Sequence, residues 1–379
     1  MKKKESLIII IIGVFLFIQL GSAQTWEGTK RLTWTSGYSD SVEAAVDSND
    51  YIHLIWVDET PGNPELYYRK STDGGTTWTT KRLTWTSGDT SRPSLAIDSN
   101  NHLYLVWFDD TPGNDEIHYK RSTNGGASWT TKRLTWNSGY SSLPSIAVDS
   151  NNHIYMIWQD DTSGNGEIYY KKSTNGGTSW TQQRLTWNSD FSGGPQIAID
   201  SNNHFNLVWH DNTPGNVELH FKRSTNGGTS WITQRCTWNS GNSYYPDIAV
   251  DSNNHIYVVW YDLTPGDSEI YFKKSTNGGT SWSQQRLTWL SDSSYNPSIT
   301  TDTSNYIHVV WKEKNPGNHE IYYKRSTNGG TSWTTKRLTF SSGGSNNPKV
   351  VTDSSNHIYV FWSDSTPGIS EIYFRKGIQ

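Results

Sequence analysis

The segment Ser-Thr-Asn-Gly-Gly-Thr-Ser-Trp recurs along this chain, with small variations, at a fixed interval of 51 residues, starting at Ser71, Ser122, Ser173, Ser224, Ser275 and Ser326. No insertion or deletion separates the copies. A strict period near 50 residues means that one supersecondary unit is repeated and that neighbouring copies cover one another's apolar faces. The unit that can do this is legible in the copy from Pro144 to Trp187. Ser145-Ile146-Ala147-Val148 predicts a short apolar strand, and Asp149-Ser150-Asn151-Asn152 a turn, because Asp and Asn tolerate left-handed backbone and bond their own main chain. Ile154 to Trp158, apolar on both faces, predicts a strand sandwiched between sheets. A loop at Asp161-Thr162-Ser163-Gly164-Asn165, with proline replacing Ser163 in the other copies, leads to a half-polar strand from Glu167 to Lys171. A turn over Ser173 to Ser179 precedes a polar outer strand from Trp180 to Trp187.

Four strands with turn signals every 8–12 residues make an antiparallel meander, and radial repetition of meanders makes a β-propeller. The first-strand motif occurs seven times, from Ala44-Ala45-Val46 to Val350-Val351-Thr352, and so does Arg-Leu-Thr or its variant, from Arg31 to Arg337. The chain nevertheless opens on a fourth strand, Trp26 to Trp34, and closes on a third, Glu371 to Lys376. The expectation is an all-β fold, a seven-bladed β-propeller of four-stranded antiparallel blades whose last blade is closed by the N-terminal strand. That closure would remove open sheet edges. Seven periods account for residues 24–379 as one domain.

Residues 1–23 read differently. Lys2, Lys3 and Lys4 precede an apolar run from Leu7 to Leu20, and Gly21-Ser22-Ala23 offers small residues for cleavage, the pattern of a secretory signal peptide. The run is too short for the ~20 residues that span a bilayer. A secreted, extracellular or periplasmic protein with no membrane span after cleavage is therefore expected. The single cysteine, Cys236, replaces leucine in Arg-Leu-Thr-Trp and reads as a small buried hydrophobe. The formal net charge of −4, which cleavage would make more negative, argues against nucleic acid as a partner.

Ser71-x-Asp73-x-Gly75-x-x-Trp78 resembles the Asp-box, or BNR repeat, the signature hairpin of the sialidase superfamily of propellers. The other copies carry Asn124, Asn175, Asn226, Asn277 and Asn328 at the acidic place. The resemblance implies a propeller whose ligand site lies at the axis on the face away from the Asp-boxes. Strand parity points to the same face, since the loops after second and fourth strands gather there. A sialidase of that superfamily would need three arginines for a carboxylate, a tyrosine nucleophile with a glutamate, and an aspartate acid/base. This chain shows only Arg92 in those loops, and its seven blades are uniform where family sialidases have six irregular ones. The fold alone does not supply the activity.

Comparison among copies locates the variation. Between the second-strand Trp and the following acid stand Val57, Phe108, Gln159, His210, Tyr261, Lys312 and Ser363. Relaxed constraint on exposed loops and a ligand-shaped surface both account for this. Phe108, Gln159, His210, Tyr261, Lys312 and Arg92 are the candidate ligand-binding residues. His210, Tyr261 and Lys312, in adjacent blades, are the catalytic candidates, an acid/base group with a cation as in a polysaccharide lyase. The repeated Asp58-type acids read as turn caps and the Glu65-type acids as bonded to a neighbouring strand, with Ca²⁺ held by paired carboxylates as the alternative, and no other cofactor is expected. The preferred reading is a monomeric glycan- or protein-binding module working through its loop face. A lyase or glycosidase with an axial site is the alternative, and exposed aromatics such as Tyr140, Phe191, Tyr244, Tyr245 and Tyr295 are available to stack on sugar rings.

Overall fold

The computed structural model describes residues 24–379 apart from 112, 214, 265, 290, 291 and 316, so the expected signal peptide lies outside the described residues. Among the described residues there are strands and no helices, arranged as seven antiparallel sheets. In the third blade the order from axis to rim is Ser141–Val148, Ile154–Asp160, Glu167–Ser173 and Thr181–Arg184. The seventh blade takes Ser345–Thr352, Ile358–Asp364 and Glu371–Ile378 from the C-terminal end. Its outer strand comes from the other end of the chain, with Thr25 opposite Ile378 and Arg31 opposite Tyr373. The ring closes as the repeat count requires.

The second strand explains why the blades cohere. Its residues alternate between faces, and both faces are covered. Ile154, Met156 and Trp158 pack backward on Tyr104, Val106, Ile117, Tyr119 and Leu134 of the preceding blade. Tyr155 and Ile157 pack forward against Ile197, Phe205, Leu207 and Trp209 of the next. Trp56, Trp107, Trp158, Trp209, Trp260, Trp311 and Trp362 are all buried, one per junction.

Two sets of polar bonds lock the face that carries the Asp-boxes. Within each Asp-box the hydroxyl of Ser173 donates to Asn175 Oδ1 at 3.0 Å and accepts the Gly177 N–H at 2.9 Å, while Asn175 Oδ1 also accepts the Ser179 N–H. Trp180 then meets Tyr119 of the preceding blade edge-on at 5.4 Å. Gly177 has φ +83, and a Cβ there would stand 2.4 Å from the Tyr119 hydroxyl, so both backbone and neighbour demand glycine. Across junctions, Asn152 at φ 61 accepts the N–H and hydroxyl of Ser99 one blade back. The same bond recurs at every junction, and Asp50 completes the circle by accepting from Ser354 at 2.8 and 2.7 Å. The turn residue that tolerates left-handed backbone is thus also the tie between blades.

Strand boundaries depart from the sequence reading at both ends of the blade. The inner strand starts at Ser141, four positions before the expected Ser145, because its pairing crosses a bulge. The outer strand is shorter than Trp180 to Trp187 because Trp180 turns back into the Asp-box, donating its indole N–H to Gly177 O, and Trp187 stands in solvent. The N-terminal outer strand is split into Thr25–Trp26 and Lys30–Arg31. Cys236 is buried as expected, its thiol pushed up to about 12 by desolvation.

Deleting residues 24–31 should strip the outer strand from the last blade and expose the edge at Glu371–Ile378. The expected result is a lower melting temperature and concentration-dependent association in light scattering. Trp158→Ala should cost about 3–5 kcal/mol in denaturant unfolding, the usual range for emptying a packed aromatic site.

Candidate binding face

The bulge in the inner strand builds the axial mouth. Pairing moves from Ser142 opposite Gln159 to Ser145 opposite Ile157, leaving one extra residue on the inner strand. Pro144 sits in that gap, where an amide without a proton costs no ladder bond. The extra residues are Ser41, Arg92, Leu143, Gly194, Tyr245, Asn296 and Asn347, all with φ between 46 and 57. Left-handed backbone is costly for side chains such as Leu and Tyr, and all seven blades share it, so it belongs to the architecture. The identities differ in almost every blade, however, and these residues line one axial pocket of about 210 Å³.

Beneath the mouth lies a second polar ring. Ser94 accepts the Ile146 N–H, Ser145 accepts the Ile197 N–H, and Asp247 accepts the Ile299 N–H at 2.9 Å, each reaching into the next blade. Glu43 and Lys349 form an ion pair at 3.0 Å across the closing junction. Burial raises the Glu43 carboxyl, while the Glu43 and Asp247 carboxylates outweigh burial and raise the Lys349 ammonium. Arg92 is different: it is exposed at the mouth and makes no ion pair with any described residue.

Around the mouth the loop face divides into two chemically distinct sectors. Blades four to six carry an aromatic arc. The His210 ring stacks on Phe191 at 5.9 Å, meets Tyr244 edge-on at 5.7 Å and leans on Tyr245. Tyr245 then stacks on Tyr261 at 5.9 Å, and Tyr261 meets Tyr295 edge-on at 5.3 Å. Lys312 lies over the Tyr295 ring and donates to Asn346 Oδ1 at 3.1 Å. Burial lowers the His210 imidazole to about 4 and raises the Tyr261 phenol, so both are neutral near pH 7. Burial also lowers the Lys312 ammonium.

The opposite sector is acidic. Asp40, Glu59, Asp89, Asp110 and Asp115 surround a depression of about 370 Å³ that also contains Phe108 and Tyr38. Desolvation, with the charges of Asp110, Asp161 and Asp109, raises the Asp115 carboxyl.

The six residues singled out from sequence therefore do not converge. Arg92 belongs to the mouth and Phe108 to the acidic depression, and Gln159 keeps a buried Oε1 with no hydrogen-bond partner. His210, Tyr261 and Lys312 are linked in series through Tyr244, Tyr245 and Tyr295, with no shared point of attack between them. Sequence reasoning named Arg92 and, as an exposed loop aromatic, Tyr245, and missed the other mouth residues Ser41, Leu143, Gly194, Asn296 and Asn347. The available signal was a variable residue before a proline recurring every 51 positions.

The repeated acids and arginines are occupied by the scaffold. Asp160 Oδ1 caps the Thr162 N–H at 3.1 Å, and its Oδ2 accepts from Ser141 and Trp158. Glu167 accepts Arg184 at 2.8 Å and the Asn188 N–H at 3.0 Å. Equivalent Arg–Glu pairs stand in every blade, from Arg31–Glu371 to Arg337–Glu320. Turn capping accounts for the aspartates and a bond to the adjacent outer strand for the glutamates, and among the described residues no group of three or more His, Cys, Asp or Glu is arranged to hold a metal ion.

Residues 88–238 match the sequence signature of a BNR repeat-containing family. The chain as a whole is a β-propeller with the sialidase-like fold, and the BNR-repeat signature is matched over residues 88–238 of it. Many solved structures resemble this propeller, at identities that establish the fold alone. A protein of unknown function from Dyadobacter fermentans is 12% identical with a TM-score of 0.61, over 94% of this chain and 99% of its own. An α-L-arabinofuranosidase from Fusarium graminearum is 11% identical with a TM-score of 0.57, over 76% and 93%. An intramolecular trans-sialidase from Ruminococcus gnavus is 12% identical with a TM-score of 0.53, over 90% and 94%. No curated protein matches the propeller in sequence.

The depressed His210 has a consequence for stability. An unfolded histidine binds its proton near pH 6.5, whereas the folded one stays neutral to about 4, so the unfolded chain gains protons first. Stability from this group is present above pH 6.5 and falls as pH drops toward 4, by up to about 3 kcal/mol. His210→Phe should remove that component. Urea midpoints at pH 7 and pH 4.5 would show a smaller acid-induced loss in the variant than in the parent chain.

Proposed function

We propose that this propeller is an exported carbohydrate-binding module that holds a glycan on its loop face, at the axial mouth and along the aromatic arc. The observation that carries the reading is the arc itself. Six rings, Phe191, His210, Tyr244, Tyr245, Tyr261 and Tyr295, pack along one arc, and Tyr245, 45% exposed, presents its ring at the mouth. Aromatic faces bordered by polar groups suit the C–H faces and hydroxyls of sugars. Arg92, exposed and unpaired at the same mouth, suits a carboxylate or another acceptor on the ligand. The solved relatives named for sialic acid and arabinofuranoside chemistry support a glycan over a protein as partner. Export rests on the leader-like residues 1–23.

Binding without turnover is favoured by the protonation states in the arc. A histidine lowered to about 4 is a poor general base at neutral pH, and a phenol raised by burial is a poor nucleophile. One observation favours the enzymatic alternative. In the acidic depression the Asp115 carboxyl is raised by desolvation and by the charge of Asp110 beside it, and a carboxyl raised in this way among other carboxylates is what a glycosidase uses as its acid.

A glycan array combined with release assays on sialosides, arabinans and uronate-containing polysaccharides tests both. Binding without product, weakened at least tenfold by Tyr245→Ala and Arg92→Ala, is the expected outcome. Catalytic release abolished by Asp115→Asn would replace this reading with hydrolysis.

A further inference from the structure

At the loop-face end of every outer strand stands an aromatic ring that the fold does not bury. Trp34, Trp85, Trp136, Trp187, Trp238 and Trp289 occupy equivalent positions, with Phe340 at that place in the sixth blade, and they are 62% to 74% exposed. Core packing cannot explain large rings left so open. Position 340 shows a copy that changed residue and kept the ring, while the loop positions from Val57 to Ser363 lost all likeness.

Each ring is mounted. The Arg184 guanidinium lies over Trp187 at 5.8 Å, and is itself pinned by Glu167 at 2.8 Å and by the Thr186 carbonyl at 2.6 Å. The same guanidinium stack occurs in all seven blades, at 4.4 to 6.0 Å. In the fourth and fifth blades, Lys222 and Lys273 reach back across the junction to Trp187 and Trp238. The indole N–H groups donate to no described residue. One side of each ring is thus backed by a fixed planar group, while much of its surface and, in the six indoles, one donor remain available.

We propose that these seven mounted rings are separate saccharide platforms, making the propeller a multivalent receptor for neutral, pyranose-containing polysaccharides. This site is distinct from the axial mouth, and the proposal shares with the axial reading only the choice of a glycan. An indole with an open face and a free N–H matches a pyranose, whose C–H face stacks while its rim hydroxyls accept. Neutral sugar follows from charge complementarity, since the guanidinium beside each ring is already paired with a buried glutamate. A protein partner would need a contiguous apolar centre, whereas these rings are spaced one per blade. A membrane surface fits poorly beside Glu59, Asp110 and Asp161 on the same face, because anionic lipid headgroups would be repelled. Seven weak sites on one rigid ring multiply into avidity toward a repeating polymer.

The test compares the full chain with Trp85→Ala/Trp187→Ala/Trp289→Ala and with Tyr245→Ala, on immobilised amylose, cellulose, galactan, mannan and xylan. Phosphatidylcholine vesicles with and without phosphatidylserine form a second arm. The expected result is binding to at least one neutral polysaccharide, weakened tenfold or more in the triple variant at unchanged melting temperature and kept in Tyr245→Ala. Acrylamide quenching of the parent chain, which needs no variant, should fall at least twofold when that polysaccharide is added in soluble form. Unchanged quenching, retention of affinity within twofold in the triple variant, or binding to vesicles alone would overturn the proposal. Loss in Tyr245→Ala with retention in the triple variant would overturn the rim sites and leave the axial reading standing, whereas loss in the triple variant with retention in Tyr245→Ala establishes the rim sites and leaves the axial mouth to its own test on the glycan array.

Discussion

Burial of one blade's face against the next is the constraint on which the rest of this molecule depends. A single blade packs its second strand on both neighbours, so alone it would leave two apolar faces in water. Each junction hides one second-strand tryptophan, and an indole withdraws on the order of 200 Å² from water, about 5 kcal/mol at the usual coefficient. Such faces pair only if every blade has two neighbours, and a ring supplies them. The exchange of Thr25–Trp26 and Lys30–Arg31 into the last sheet follows from this, because it makes the final junction equal to the others.

Uniform junctions also consume most of the chain's chemistry. Seven Arg–Glu pairs hold outer strands, seven Asp or Asn side chains tie neighbouring turns, and the Asp58-type carboxylates cap loops. Groups bound in this way are not available to a substrate. What remains is small and distinctive: Arg92, the arc from Phe191 to Tyr295, the acids around Phe108, and the exposed rim rings. The functional candidates are the exceptions to the repeat, together with the one repeated feature, the rim aromatics, that packing does not require.

The repeat length, the blade count, the closing strand and the Asp-box turns were legible because each depends on local chemistry copied without change. Asn152 and Gly177 are examples: turn preference alone predicts left-handed backbone at both. Legibility failed where two strands had to be paired before the feature existed. The bulge at Ser142 to Ser145 is visible only in register, and it carries Tyr245 to the mouth when a loop position was expected. Trp187 reads as a strand residue until the register shows outer-strand pairing ending at Arg184 opposite Tyr169.

Seven copies of a period-51 meander could become only one architecture, because apolar faces on both sides of every sheet leave a closed ring as the arrangement that covers them all. Which variable residues face one another was decided only in three dimensions. His210, Tyr261 and Lys312 stand 51 residues apart in the chain and looked like a single cluster. Ring curvature and the intervening Tyr244, Tyr245 and Tyr295 instead string them along an arc. The protonation of His210 was likewise beyond sequence, since it depends on three rings from two blades closing over one imidazole.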